Sequence, residues 1–132
     1  MAKARLSAQQ QSIRAGGQPN RKVLYQSNPG PQNDFMLSEA QEVLYGGAAG
    51  GGKSHAIRAW AVRYCLTYPG ARVVLFRQSF RQLDETHIIS IQQEVPSDVA
   101  HYSAAKHDLI FPNGSILHLR FCEKDEDART YD

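Results

Sequence analysis

The sequence predicts an α/β domain with three layers and a mainly parallel sheet. An apolar run at 42–45 leads through a glycine-rich loop into an amphipathic helix over 53–68. A second, β-branched strand over 71–76 precedes a second helix over 79–94. Because a helical crossover joins strands in parallel, this β-α-β-α order indicates a parallel sheet. The apolar residues of the first helix that recur at helical spacing, and are expected in the core, are Ile57, Trp60, Ala61, Tyr64, Cys65 and Tyr68.

A hairpin is predicted after these two strand-helix pairs. Asn113-Gly114 stands between apolar runs at 109–111 and 115–121. Asn-Gly between such runs is typical of a tight β-hairpin turn. We therefore expect a β-hairpin near residues 108–122.

Residues 1–31 differ in composition from the rest of the chain. They are rich in Gln, Asn, Gly and Pro, and residues 1–33 carry five basic and no acidic side chains. Because few large apolar side chains are present, we expect a basic, disordered arm over 1–31 and a folded domain over 32–132. Such an arm either contacts nucleic acid or is a solvated tail, and both interpretations stay open.

The composition excludes several classes of protein. No apolar stretch approaches the roughly 18 residues of a membrane span, and the first 17 residues lack the apolar core of a secretion signal. Cys65 and Cys122 lie far apart, and the five histidines have no metal-ligand spacing. We therefore expect no disulfide framework, no metal held by protein ligands alone and no membrane association. A reducing cytoplasm is the expected compartment.

The glycine-rich loop carries the most specific motif in the sequence. Residues 47–54 have the GxxxxGKS pattern of a phosphate-binding P-loop (Walker A), placed between a predicted strand and a predicted helix. Glycines let backbone N–H groups approach phosphate oxygens at a helix N-terminus. We expect Lys53 to contact the β and γ phosphates as the catalytic lysine, and the Ser54 hydroxyl to bind Mg²⁺ beside ATP. The predicted nucleotide-binding loop comprises Gly47, Ala48, Ala49, Gly50, Gly51, Gly52, Lys53 and Ser54.

Hydrolysis also requires acidic residues that the sequence does not place. A P-loop ATPase uses an apolar strand that ends in Asp, often Asp-Glu, to hold Mg²⁺ and to orient water. Asp84-Glu85 lie on a predicted helix, and the acidic residues within 123–127 are typical of a solvated turn. We therefore expect these acids beyond Asp132, in a domain truncated at its C-terminus.

Four segments of the chain agree with one family in order and spacing. Pro31-Gln32 followed by Phe35 is similar to a segment in which a glutamine reads adenine. Residues 42–54, 74–77 and 111–115 are similar to that family's P-loop, to its second strand with an arginine, and to a hairpin that precedes its magnesium-binding strand. The chain thus resembles the ATPase domain of the terminase large subunit, the DNA-packaging motor of tailed bacteriophages.

The resemblance implies a RecA-like (ASCE) P-loop NTPase that hydrolyses ATP to move double-stranded DNA into the procapsid. It implies that Gln32 binds the adenine base and that Arg77 contributes to the nucleotide site. The implied partners are double-stranded DNA, a portal protein, a small terminase subunit and further copies of the chain in a ring, in the host cytoplasm. It also implies that the Walker B acids and a nuclease domain lie outside the chain, so that this part binds nucleotide and hydrolyses it poorly.

Several assignments stay open at this point. Gln32 either reads adenine or is a polar linker residue, and Gln41 competes with it, although Ser38-x-x-Gln41 also matches a helix capping box. Arg77 contacts phosphate or DNA, or forms a surface ion pair. Many relatives have an arginine inside the P-loop where this chain has Ala49. The alternative functions are another P-loop ATPase, helicase-like or AAA-type, and nucleotide binding without activity.

Overall fold

In the residues that the structure describes, the chain has an α/β fold with three helices, a two-stranded ladder and a mixed sheet of four strands. The computed structural model describes residues 12–15, 22–46 and 52–124. The chain divides into two compact units, Met1–Trp60 and Ala61–Asp132. None of the helices within the described ranges is long and apolar enough to span a bilayer.

The first unit contains a two-stranded ladder, a short helix and the start of a longer helix. Strand β1 is Ser12–Ala15, and strand β2 is Lys22–Gln26. Helix α1 is Pro31–Leu37, and helix α2 is Lys53–Thr67. Pro31 stands at the start of α1, where its fixed φ favours the helix and its missing N–H costs nothing. The buried apolar side chains of this unit are Tyr25, Met36, Ala56 and Ala59.

Strands β1 and β2 lie inside the segment for which composition predicts disorder. They pair antiparallel, with Ser12 opposite Gln26. Strand β2 has apolar side chains at 23–25, whereas the rest of the segment has few, and Tyr25 is only 5% exposed. The part of residues 1–31 that the structure describes therefore contains folded strands. The average composition of the whole segment does not predict them, because it conceals one five-residue strand.

Residues 42–45 do not form the predicted strand. No strand within the described ranges pairs with them, and Leu44 is 99% exposed. A strand is stable only where a neighbour supplies hydrogen bonds to its backbone, so apolar side chains alone do not produce one. The predicted crossover from 42–45 to the strand over 71–76 is consequently wrong for this structure.

The second unit contains the four-stranded sheet, in the order β3-β6-β5-β4. Strand β3 is Arg72–Arg77, and strand β4 is His101–Ser103. Strand β5 is Asp108–Ile110, and strand β6 is Ile116–Phe121. These bounds confirm the predicted strand over 71–76 and the predicted hairpin near 108–122.

The sheet is mixed, which corrects the expectation of a mainly parallel one. Strands β3 and β6 are parallel, with Arg72 opposite Ile116. The pairs β6-β5 and β5-β4 are antiparallel. The reason lies in the connections, because the short segments 104–107 and 111–115 cannot hold the crossover that parallel neighbours require.

Helix α3 follows β3 and contains a π-helical turn. It consists of α-helical Phe80–Leu83, π-helical Asp84–Ile88 and α-helical Ile89–Glu94, joined end to end. The Ser79 hydroxyl caps its first turn by accepting from the Gln82 N–H at 3.3 Å. This confirms the predicted helix over 79–94. The buried apolar side chains of the second unit are Ala61, Val62, Cys65, Leu75, Leu83, Ile88, Ile91, Val99, Ala100, Leu109, Phe111, Leu117 and Leu119.

Tyr64 in α2 and Tyr68 just after it lie at the surface instead of in the core. Tyr64 is 38% and Tyr68 is 54% exposed, and their ring centroids are 4.6 Å apart. The expectation that both are core residues is wrong. The buried apolar side chains of this helix are small, among them Ala61, Val62 and Cys65, and Arg58 is buried as well.

The β5-β6 connection holds the C-terminal end of α2. The Asn113 amide donates to the Cys65 carbonyl at 2.8 Å. The Ser115 hydroxyl donates to the Tyr68 carbonyl at 2.7 Å and accepts from the Ala71 N–H at 3.0 Å. The Cys65 carbonyl lies in the last turn of the helix, where carbonyls lack intrahelical partners. The fully buried Ser115 thus contacts the segment just beyond a helix that is remote in sequence.

A buried charge cluster joins β5 to β6. Asp108 is 6% exposed, and its Oδ1 lies 2.8 Å from His118 Nδ1 and accepts from Arg120 Nη2 at 2.9 Å. Arg120 also donates to the carbonyl of His107 at 3.1 Å. Because the buried carboxylate is paired and hydrogen-bonded, we interpret the cluster as a structural feature of the hairpin.

We predict that Ser115→Ala destabilises the fold. It removes two hydrogen bonds made by a fully buried hydroxyl, which costs about 1–3 kcal/mol of unfolding free energy. Urea unfolding measures the change, and the exposed Ser97 provides the matched control as Ser97→Ala. Equal unfolding free energies for the two variants would contradict the assigned role of Ser115.

Candidate nucleotide-binding site

Gly52, the last glycine of the predicted P-loop, sets the start of helix α2. Its carbonyl accepts from the Ala56 N–H at 3.0 Å, which is the first hydrogen bond of the helix. Its φ is +74°, a left-handed conformation that glycine adopts without the steric cost of a Cβ. Helix α2 therefore begins at Lys53, directly after the last glycine of the predicted motif.

The first turn of α2 has the electrostatic character of an anion site. It contains Lys53, Ser54 and His55, and it has no acidic residue. A helix N-terminus carries about half a positive charge, and a lysine at the first position adds a full one. Lys53 and Ser54 are both half-buried, which strengthens their interaction with a charged ligand. This end of the helix suits a phosphate group.

Gln32 is buried and connects α1 to the start of α2. Its Nε2 donates to the Gly52 carbonyl at 3.1 Å, across twenty residues of sequence. Its Oε1 accepts from the Asn28 N–H at 2.6 Å. Since one partner is a donor and the other an acceptor, the orientation of the amide is fixed. Gln32 is only 6% exposed, so it is not the solvated linker residue that the sequence allowed.

Phe35 connects the same helix to the segment before the loop. Its ring stacks on that of Tyr45 with centroids 5.2 Å apart and an interplanar angle of 18°. Phe35 follows Gln32 by three residues, so the two side chains lie on one face of α1. Helix α1 therefore contacts the chain on both sides of the glycine loop, at Tyr45 and at Gly52.

Tyr25 belongs to this region, and the sequence reasoning missed it. Its ring meets that of His55 edge-on, with centroids 4.9 Å apart. Burial, and in second place the nearby Tyr45 phenol, raise the pKa of Tyr25 to about 12. The apolar run that contains Tyr25 was the available signal, but it lay inside the segment for which disorder was expected.

The other predicted site residues lie either outside the described ranges or in the second unit. Gly47, Ala48, Ala49, Gly50 and Gly51 lie outside the described residues. Arg77 lies at the end of β3 in the second unit, where its Nε donates to Nε2 of His87 at 3.1 Å. His87 is 2% exposed, so this contact is not a surface ion pair.

Gln41, the competitor of Gln32, is exposed in the structure. Ser38 follows the last residue of α1, and its hydroxyl accepts from the Ala40 N–H at 3.3 Å. No helix begins at Ser38, so the capping-box interpretation of Ser38-x-x-Gln41 is wrong. Within the described residues, Gln32 is the glutamine that hydrogen-bonds to Gly52.

Within the described residues, no group of three or more His, Cys, Asp or Glu side chains is placed to hold a metal ion. Ser54 lies in the first turn of α2, and its assignment as a Mg²⁺ ligand stays a prediction. Two observations fit a bound nucleotide: an anion-favouring helix start and a buried phenol beside it.

The chain was compared with protein-family models, with curated proteins and with solved structures, and nothing matches.

We predict that Gly52→Ala destabilises the first unit by about 1–3 kcal/mol. The new Cβ would lie 2.7 Å from Gln32 Nε2, in addition to the strain of a positive φ. Gly70 has the same φ of +74° with open space around it, so Gly70→Ala measures the strain alone. Thermal unfolding of both variants measures the difference.

Gly46→Ala is the second control, since a Cβ there meets nothing within 4 Å. We expect it to be close to neutral. If Gly52→Ala is no more destabilising than Gly70→Ala, the close contact between Gln32 and Gly52 does not exist.

Proposed function

We propose that this chain binds ATP together with Mg²⁺ at the start of helix α2. The observation that carries the proposal is the hydrogen bond from Gln32 to the Gly52 carbonyl. Sequence reasoning assigned one of these residues to the base and the other to the phosphates, although twenty residues separate them. Their direct contact supports a single nucleotide site that uses both.

Gln32 retains the hydrogen-bonding capacity that adenine requires. A side-chain amide has two N–H donors and two acceptor lone pairs, and one of each is used by Gly52 and Asn28. The remaining donor and acceptor match N7 and the N6 amino group of adenine, which a glutamine can bind in pairs. Gln32 would then hold the base and the loop at the same time.

Lys53 and Ser54 supply the chemistry at the phosphates. Lys53 would place a positive charge at the β and γ phosphates, where negative charge increases during phosphoryl transfer. Ser54 would provide one oxygen ligand to Mg²⁺, and the ion would supply further positive charge at the phosphates. The loop residues Gly47 to Gly51 would surround the same phosphates with backbone N–H groups.

We further propose that the chain is part of a RecA-like P-loop ATPase of the terminase large-subunit type. The support is the resemblance of residues 30–80 and 111–115 to that family. In this proposal ATP hydrolysis moves double-stranded DNA, and the chain acts in a ring with a portal protein and a small subunit in the host cytoplasm. Arg77 would contact phosphate or DNA from the end of β3.

Titration of a fluorescent ATP analogue with Mg²⁺ tests the nucleotide site. We predict that Lys53→Ala weakens binding at least tenfold, because a charge-assisted contact of about 1.5–3 kcal/mol is lost. The exposed Lys106 gives the matched control, and Lys106→Ala should bind like the wild type. Equal affinity of all three proteins would reject a P-loop site.

Turnover of unlabelled ATP, followed in parallel, separates binding from hydrolysis. If ATP binding depends on Lys53 and turnover stays at background, the chain binds the nucleotide without hydrolysing it. The acidic residues that hold Mg²⁺ and orient water are then not supplied by residues 1–132. Turnover that disappears in Lys53→Ala would show that these acids are present within residues 1–132.

A further inference from the structure

The hydroxyl of Tyr25 is a buried polar group that needs a partner. Tyr25 is 5% exposed, and no group in the described part of the chain forms a hydrogen bond with its Oη. A buried hydroxyl without a partner is unfavourable, and such groups in folded proteins are rare. Where one occurs, an absent water, ion or ligand is the usual explanation.

The surroundings of Tyr25 point to a ligand at the start of α2. Its ring lies against His55, which follows Ser54 in the first turn of the helix. Its phenol is close enough to that of Tyr45 for the two to interact electrostatically. His55 follows the glycine loop directly after Lys53 and Ser54, so Tyr25 lies against the described residues at the C-terminal end of that loop.

We propose that the Tyr25 hydroxyl donates a hydrogen bond to a phosphate oxygen of the bound nucleotide. This inference rests on the proposed nucleotide site. The phosphates are the favoured acceptor because the first turn of α2, which Tyr25 contacts through His55, is the part of the site that attracts an anion. The base is assigned to Gln32, which lies in a different element.

The protonation state of Tyr25 fits this role. Burial, then the Tyr45 phenol, raise its pKa to about 12, so the hydroxyl is protonated and neutral near pH 7. A neutral O–H donates to a phosphate oxygen without adding negative charge to an anionic site. A contact of this kind is strong because the acceptor is charged.

The proposal predicts opposite effects of Tyr25→Phe on stability and on affinity. Phenylalanine keeps the ring and its contact with His55, and it removes the hydroxyl that lacks a partner. The free protein should therefore melt at the same or a higher temperature than the wild type. Affinity for ATP and for ADP should decrease about ten- to a hundredfold, since a hydrogen bond to a charged group is lost.

The experiment measures the binding of three probes, MgATP, MgADP and adenosine, by calorimetry. Wild type, Tyr25→Phe and Lys53→Ala are compared, with Tyr68→Phe as the matched control, because Tyr68 is 54% exposed and lies in the other unit. We expect Tyr25→Phe to lose affinity for the two nucleotides and to bind adenosine like the wild type. Tyr68→Phe should leave all three affinities unchanged.

The possible failures are distinguishable. If the wild type shows no Lys53-dependent binding of ATP, the proposed function and this inference both fail. If that binding is present and Tyr25→Phe keeps the wild-type affinity, only the inference fails. An equal loss for adenosine and ATP would place the hydroxyl on the nucleoside and overturn the phosphate assignment. A lower melting temperature of Tyr25→Phe would mean that the hydroxyl already has a partner in the free protein, which also overturns the proposal.

Discussion

The start of helix α2 depends on one buried side-chain amide. Gln32 is removed from water, and one acceptor and one donor of its amide are used, towards Asn28 and towards Gly52. A buried amide with unsatisfied functions would destabilise the fold, so this pair of bonds selects one arrangement of α1 relative to the helix start. Gly52 can accept the bond only because it has no Cβ and a left-handed backbone. The nucleotide site that we propose is built on this contact.

The two ends of α2 are determined in the same way, by side chains that are remote in sequence. Gln32 contacts the residue before its first turn, whereas Asn113 and Ser115 bind carbonyls in its last turn and just beyond it. In the last turn, backbone carbonyls lack intrahelical partners, and the Asn113 side chain binds one of them. At the first turn, Gln32 adds a second hydrogen bond to the Gly52 carbonyl, which already accepts from the Ala56 N–H.

The sequence predicted the elements that local signals specify. The long helix, the strand over 71–76, the capped helix after Ser79 and the Asn113-Gly114 hairpin are all present. The mixed sheet, the absent strand at 42–45 and the ladder near the N-terminus depend on which strands find partners, and composition does not encode that. In the site, motif spacing indicated Gly52, Lys53 and Ser54, and the family resemblance indicated Gln32. The sequence did not indicate Tyr25, because the burial of its side chain and the missing partner of its hydroxyl are visible only in a structure.

The affinity of the Gln32→Ala variant for MgATP tests the central claim most directly, with Gln41→Ala as the control because Gln41 is exposed. The account predicts that Gln32→Ala binds MgATP at least about tenfold more weakly than the wild type, since it loses the base contact and the bond that holds Gly52. Gln41→Ala should bind like the wild type. Wild-type affinity in Gln32→Ala would contradict the account, because the helix start would then form a nucleotide site without its buried amide.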